Sequence, residues 1–131
     1  MKNYEELDIW KHGCQLAVDI YRENDKEPFA RDFGLRDQIR RSAVSIPSNI
    51  SEGKERETLR ELIRYLYIGK GSAAELKTQL YSAQKVGYLN FDIYLDLNTR
   101  ATTLPKKIGS FVRKLKGSSA VESADHNERR I

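Results

Sequence analysis

The chain is poor in the residues that carry most redox and metal chemistry. It has one cysteine, two histidines, one methionine and one tryptophan among 131 residues. One cysteine cannot form an internal disulfide, and Cys14 falls on an apolar helical line, where a small buried hydrophobe is expected rather than a reactive thiol. Asp8 and His12 share a helix face, but no third or fourth metal ligand accompanies them. The sequence therefore predicts neither a metal site nor a cofactor.

Long apolar runs are absent as well. The longest uninterrupted apolar stretch is a few residues, far short of the roughly 20 that a membrane-spanning helix needs. The N-terminal sequence MKNYEELDIW is acidic, where a secretory signal would be basic and then apolar. We therefore expect a cytoplasmic protein with no membrane partner.

Catalytic and phosphate-loop patterns are present only as fragments. The run IGKGSA has Arg64 where a phosphate loop needs glycine, and Gly71 where it needs serine or threonine. Ser51 and Lys54 match the S-x-x-K tetrad, but its partner motifs are missing. Because no constellation is complete, the sequence predicts a protein without enzymatic activity.

Apolar residues recur at helical spacing in four segments. We expect helices at about Glu6 to Asn24, about Gly34 to Glu52 and about Thr58 to Val86, and a fourth that carries a heptad from Leu97 to Leu115. Short turns favour antiparallel neighbours, so the sequence predicts an all-α, up-down-up-down four-helix bundle over residues 1–116. From Gly117 on, the chain is polar and without period, and 117–131 is expected to be a disordered tail.

Some residues are unfavourable for the helices that contain them. Pro47 is expected to kink the second helix or split its last turn, and Pro105 to cause a bend or a break near Thr103. Gly53 is placed to end the second helix as its C′ residue. The small residues from Gly69 to Ala74 predict that a neighbouring backbone approaches the third helix closely. On the first helix we expect the packing seam along Leu7, Trp10, Cys14, Ala17 and Tyr21, with a second apolar line beside it at Ile9, Gly13, Leu16 and Ile20.

Charge is unevenly distributed, although the net charge is only +4. Residues 1–30 contain four basic and seven acidic side chains, whereas residues 97–117 contain six basic and no acidic ones. The fourth helix thereby presents what we call the basic flank, formed by Arg100, Lys106, Lys107, Arg113 and Lys114. The other candidate nucleic-acid-binding residues are Arg36, Arg40 and Arg41 on the second helix and Arg64 on the third. Like charges at helical spacing repel, and either a polyanion or the acidic first helix would relieve that repulsion.

Two blocks of the sequence carry a resemblance to a known family. FGLRDQIRRSAVSIPSNISEG (33–53) and ELIRYLYIGKGSAAELKTQL (61–80), followed by Gly87 and Tyr88, resemble the bacterial four-helix-bundle proteins encoded within 23S rRNA intervening sequences. The resemblance extends from about Leu7 to Leu115. It implies an all-α bundle that assembles as a homopentamer, with no known enzymatic activity. A related branch resembles the accessory variability proteins of diversity-generating retroelements, basic pentamers that partner a reverse transcriptase and nucleic acid.

Two classes of function are consistent with these observations. The first is a non-enzymatic oligomer that binds RNA or DNA through a basic surface, with a reverse transcriptase as a further expected partner. The second is a structural or protein-interaction module whose basic helix meets an acidic protein surface. In both classes, additional apolar positions on helices one and three predict side-by-side packing of subunits.

Overall fold

The backbone of residues 7–130 and the side chains of residues 7–117 are described by a computed structural model. Within residues 7–130 the chain forms four α-helices: α1 (Asp8–Glu23), α2 (Phe33–Lys54), α3 (Leu59–Lys85) and α4 (Phe91–Arg130), with one 3-10 turn (Phe29–Arg31) before α2. Each helix packs on the next, and α4 returns to pack on α1. The prediction of an all-α four-helix bundle is confirmed.

The core follows the apolar lines of α2, α3 and α4. Ile39, Ala43, Ile46 and Ile50 on α2 are at most 1% exposed, and the equivalent line on α3, from Leu62 to Ala83, is buried against them. The heptad of α4 is buried along most of its length. Helical periodicity therefore placed these three faces correctly, because each helix turns one stripe toward its neighbours.

The packing seam of α1 differs from the prediction. Ile9, Leu16 and Ile20 are buried, whereas Tyr21 on the expected seam is 41% exposed. The line described as secondary is therefore the principal one, and Ala17 is the point where the two lines meet in the core. The physical reason is that α1 packs on both α2 and α4, so the stripe between these two neighbours is the one removed from water.

Both internal prolines lie inside continuous helices. Pro47 lies within α2 and Pro105 within α4, so α4 has no break near Thr103; the alternative, a bend there, stays a prediction. Ala101, Leu104 and Ile108, on either side of Pro105, are at most 3% exposed, and this burial holds the helix through the proline. Pro47 is itself buried, and a Cβ atom added to Gly13 would lie 3.4 Å from its ring, so α1 and α2 approach closely at this pair.

Two glycines have roles other than those predicted. Gly53 does not end α2, which continues to Lys54. Gly53 is buried where α2 meets α3, and a Cβ atom there would lie 2.9 Å from Cβ of Tyr65. On α3 the expected close approach occurs at Gly69, beside the carbonyl of Ile46. An atom added to Gly71 would meet nothing within 4 Å, so within a single chain this residue is not a packing contact.

The helix ends also bear on the predictions. Thr58 and Glu61 have the T-x-x-E spacing that predicts a helix cap, and Thr58 does cap α3, since its side chain accepts a hydrogen bond of 3.2 Å from the amide of Glu61. Asp32 caps α2 in the same way through the amide of Leu35. The backbone of α4 is helical through Arg130, and isolated helical extensions of this length are marginal in water. Disorder of the 117–131 tail stays a prediction.

Candidate nucleic-acid interface

Arg40 on α2 is part of a structural network. Its Nε donates a 2.8 Å hydrogen bond to Oδ1 of Asn24, a side chain with no exposed surface. The amide of Asn24 in turn donates to the carbonyl of Arg36 at 3.2 Å. The guanidinium of Arg40 also lies 4.4 Å from the ring centroid of Tyr21. Arg40 therefore joins the end of α1 to α2, and its Nε donor is already committed to Asn24.

The other predicted arginines of α2 and α3 differ in how free they are. Arg36 donates to the carbonyl of Ala30 at 3.1 Å and forms an ion pair with Asp37. Arg64 pairs with Glu61 at 3.3 Å. Arg41 is exposed and forms no ion pair with a described residue. Of the four, Arg41 alone is an uncommitted charge within residues 7–117.

Arg100 is the member of the basic flank that forms ion pairs with acids in residues 7–117. Its guanidinium contacts Asp19 of α1 at 2.8 Å and Asp96, one turn earlier on α4, at 3.2 Å. Arg100 is also partly buried. Both carboxylates lie at the N-terminal end of the basic flank, so acids of residues 7–117 neutralise only its first residue.

The remaining cations of the basic flank are exposed to solvent. Lys106, Lys107, Arg113 and Lys114 make no ion pair with any acid in residues 7–117. Lys107 approaches another basic side chain instead, with its Nζ 3.5 Å from Nδ1 of His12. These four side chains cover about 12 Å of helix at 1.5 Å per residue, and their repulsion is not relieved inside the described chain.

A cleft opens between α1 and α4 along one side of the flank. It has a volume of about 260 Å³ and is lined by His12, Gln15, Leu16, Arg100, Thr103, Leu104 and Lys107. Leu16 and Leu104 form an apolar floor, and His12 and Lys107 lie at the rim. This arrangement suits a group with an apolar face and a negative charge.

On the side of α4 that faces α3 lies a second group of cations, of which the sequence reasoning had named only Arg113. Lys70 of α3 and Arg113 of α4 both reach toward Gly109, and Lys116 Nζ donates a 3.0 Å hydrogen bond to the hydroxyl of Tyr67. We call Tyr67, Lys70, Arg113 and Lys116 the α3–α4 cation cluster. In the sequence, the only local signal is an i, i+3 pair on each helix: Tyr67 with Lys70, and Arg113 with Lys116. This spacing does not indicate that the two pairs contact each other.

Tyr67 has an altered acidity within this cluster. The hydrogen bond from Lys116 is the largest effect and lowers the pKa of the Tyr67 phenol; burial opposes it, and the positive charges of Lys116, Lys70 and Arg113 lower the pKa further. The hydrogen bond and the positive charges favour the phenolate over the phenol. The net lowering of the pKa indicates that the surroundings of Tyr67 favour negative charge.

Metal and thiol chemistry receive no support within the described part of the chain. No group of three or more histidine, cysteine, aspartate or glutamate side chains lies together there. Cys14 is partly buried rather than fully so, and burial raises the pKa of its thiol, which disfavours the reactive thiolate. Across residues 7–130, no helix combines the length and hydropathy needed to cross a membrane.

The fold and the site define an all-α four-helix bundle with a cationic face along its fourth helix. The chain belongs to the family described as 23S rRNA-intervening sequence protein, whose sequence profile matches residues 5–110. A crystal structure from Bacteroides thetaiotaomicron VPI-5482, described as a protein with unknown function from the S23 ribosomal protein family, is similar with a TM-score of 0.73 and 25% sequence identity. The match covers 79% of this chain and 97% of that one. No curated protein matches the sequence.

Proposed function

We propose that this protein is a non-enzymatic homo-oligomer that binds the phosphate backbone of RNA or DNA through the basic flank, with little sequence preference. A pentamer acting in the cytoplasm is the assembly that we propose, following the family resemblance. A reverse transcriptase as partner stays a prediction of the resemblance to the retroelement-accessory branch.

One observation carries the nucleic-acid proposal. Two pairs of adjacent cations, Lys106 with Lys107 and Arg113 with Lys114, lie about two turns apart on one helix, exposed and without an acidic partner in residues 7–117. Phosphates of a nucleic acid would neutralise these charges and release condensed counterions. Binding of this kind reads charge and shape rather than bases.

The proposal of an oligomer is supported by apolar side chains that the single chain leaves in solvent. Several lie on α3, directly after it and at the start of α4: Ile68, Tyr81, Val86, Phe91 and Leu95, each between 41% and 62% exposed. Packing of like subunits side by side in a closed ring would bury such surface. Light scattering at micromolar concentration is expected to give about five times the monomer mass, and a monomer there would refute the assembly.

The binding test compares the wild type with two variants of equal net charge. In the first, Lys106, Lys107, Arg113 and Lys114 are all replaced by Glu. In the control, the exposed residues Arg22, Lys26, Arg31 and Lys85 are replaced by Glu. Fluorescence anisotropy with a labelled single-stranded RNA and a labelled duplex is measured across a series of salt concentrations.

Four phosphate contacts per subunit predict a slope of log affinity against log salt of about −2.8 on a single strand and about −3.6 on a duplex. Several subunits that engage one strand would steepen it. The flank variant should bind weakly with a flat slope, and the control should retain most of the slope. Helicity and oligomer size should be equal in both variants. If the wild type shows no salt-sensitive binding, the protein-interaction module replaces this proposal.

A further inference from the structure

The α3–α4 cation cluster brings together charges that are far apart in the sequence. Gly109 is buried on α4, and a Cβ atom added there would lie 3.4 Å from Nζ of Lys70 and 3.5 Å from Nη1 of Arg113. Both cationic groups are thus within van der Waals distance of the same point. The absence of a side chain at Gly109 lets them converge over the backbone of α4.

A third cation and a phenol complete the group. Nζ of Lys116 donates to the hydroxyl of Tyr67 at 3.0 Å. Nζ of Lys116 and Nζ of Lys70 lie 5.3 Å and 5.7 Å from the centroid of the same ring. No acid within residues 7–117 forms an ion pair with Lys70, Arg113 or Lys116. Three positive charges therefore surround one phenol without a described counter-ion.

The hydrogen-bonding capacity of Tyr67 is only partly used. A phenol hydroxyl accepts and donates, and here the oxygen accepts from Lys116, which leaves its proton for another acceptor. The lowered pKa of Tyr67 makes that proton a stronger donor. An oxyanion placed beside the hydroxyl would receive it and would also receive charge-assisted bonds from the neighbouring cations.

We propose that the α3–α4 cation cluster is a phosphate-binding site that takes one phosphate group of a bound nucleic-acid backbone. The proposal rests on the proposed function and deepens it, because it assigns one phosphate to a defined site that shares only Arg113 with the basic flank. Lys70, Arg113 and Lys116 contact the phosphate oxygens, and Tyr67 donates a hydrogen bond to one of them. The tetrahedral phosphate is the shared chemistry of nucleic acids, nucleotides and inorganic phosphate, and the backbone phosphate is the source to which we commit.

A matched control exists on the same helix. Tyr81 is also exposed, and Lys85 lies 5.5 Å from its ring centroid. This pair reproduces a tyrosine with one lysine, without the converging cations from α4. An effect that depends on the cluster should appear at Tyr67 and not at Tyr81.

The experiment follows the tyrosine side chains by NMR in full-length protein labelled with ¹³C at the tyrosine Cζ. Tyr67→Phe and Tyr81→Phe assign the two signals. The probes are inorganic phosphate, adenosine 5′-monophosphate, a twelve-nucleotide single-stranded RNA and, as the uncharged control, adenosine. A phosphate bound beside Tyr67 should raise its pKa, since negative charge disfavours the phenolate. Adenosine should leave both signals unchanged.

Substitutions then test which groups contribute. Tyr67→Phe keeps the ring and removes the hydroxyl, and Lys70→Met keeps the stem and removes the charge. Each should weaken binding of adenosine 5′-monophosphate about tenfold, the loss expected for one hydrogen bond to a charged group. Tyr81→Phe and Lys85→Met should leave the affinity unchanged.

The outcomes separate this site from the proposed function. If RNA binds with the expected salt slope but the Tyr67 signal responds to no phosphate-containing probe, the site is wrong and the proposed function stands. If inorganic phosphate and the nucleotide shift Tyr67 but RNA does not, the site takes free phosphate compounds and our assignment to a backbone phosphate is overturned. If RNA does not bind at all and Tyr67 does not respond, both proposals fail.

Discussion

Similar residue types serve different purposes on the two sides of this bundle. Around α2, Arg40 is held by Asn24 and Tyr21 and joins two helices. On the outer side of α4, Lys114 and its neighbours are exposed and make no ion pair within residues 7–117. Both sets have the helical spacing of a basic cluster in the sequence. A cation that already satisfies a buried partner is a structural element, and only an uncommitted one is available to a ligand.

The glycines divide in the same way. Gly53 lies where α2 and α3 touch, with no room for another atom. Gly71 lies on the outer surface of α3, with open space around it. The sequence alone does not distinguish these two glycines, since glycine lowers helix stability relative to alanine at either position. Their different surroundings suggest matched substitutions that test the contrast between the two sides.

The largest effect is expected for Asn24→Leu. The change leaves the Nε donor of Arg40 and the carbonyl of Arg36 without their buried partner, and loss of such a network costs about 3 kcal/mol in the free energy of unfolding. Lys114→Leu on the outer side should change the same quantity by less than about 0.5 kcal/mol. Urea unfolding monitored by circular dichroism measures both. Equal effects of the two substitutions would show that the α2 network is not structural.

A smaller effect is expected for Gly53→Ala. The added Cβ atom would lie 2.9 Å from Cβ of Tyr65 and 3.2 Å from the carbonyl of Leu62. Overpacking of this kind costs about 1 to 3 kcal/mol, offset in part by the better helix propensity of alanine. Gly71→Ala should instead raise the free energy of unfolding by about 0.5 to 1 kcal/mol, because it meets no neighbour. Unfolding experiments in which both substitutions stabilise would contradict close packing at Gly53.

The smallest loss of stability is expected for Tyr88→Phe. Tyr88 lies in the turn after α3 and contacts Asp32 at the start of α2. Its hydroxyl donates a 2.9 Å hydrogen bond to Asp32, and this bond is the main reason that the pKa of Tyr88 is raised above its ordinary value of 10.0. The bond stabilises the fold below pH 10 and is lost as the pH rises through the raised pKa. Tyr88→Phe should therefore lower the free energy of unfolding at pH 7, but by less than Asn24→Leu or Gly53→Ala does.

The pH profile gives that prediction its own check. Tyr67 affects the pH dependence of stability in the opposite direction from Tyr88, because its pKa is lowered. Tyr67 stabilises the fold above the ordinary phenol pKa, and this stabilisation is lost as the pH falls through the lowered pKa. As the pH rises above the ordinary phenol pKa, the free energy of unfolding should therefore fall less in Tyr88→Phe than in the wild type. Tyr81→Phe serves as the control, and an unchanged alkaline profile in Tyr88→Phe would show that the bond to Asp32 has no energetic role.

The sequence by itself determined the helices, three of their four buried faces and the cap at Thr58. These features depend on residues three or four positions apart, and such spacings are visible in a linear chain. It also placed an excess of positive charge on α4. Helical periodicity did not settle the buried face of α1, because two apolar lines compete there and the neighbours decide between them.

Only the tertiary structure decided which Lys and Arg side chains bind a partner in residues 7–117 and which are exposed without one. Arg40 is committed by Asn24, 16 residues earlier, and Arg100 by Asp19 on a different helix. The α3–α4 cation cluster joins Tyr67 to Lys116, 49 residues apart. The physical reason is that a side chain's partner is set by which helices lie side by side, at separations that no local pattern encodes. Packing also overrode the local preferences at Gly53 and Pro105, because burial across a helix contact outweighs the cost of one unfavourable residue.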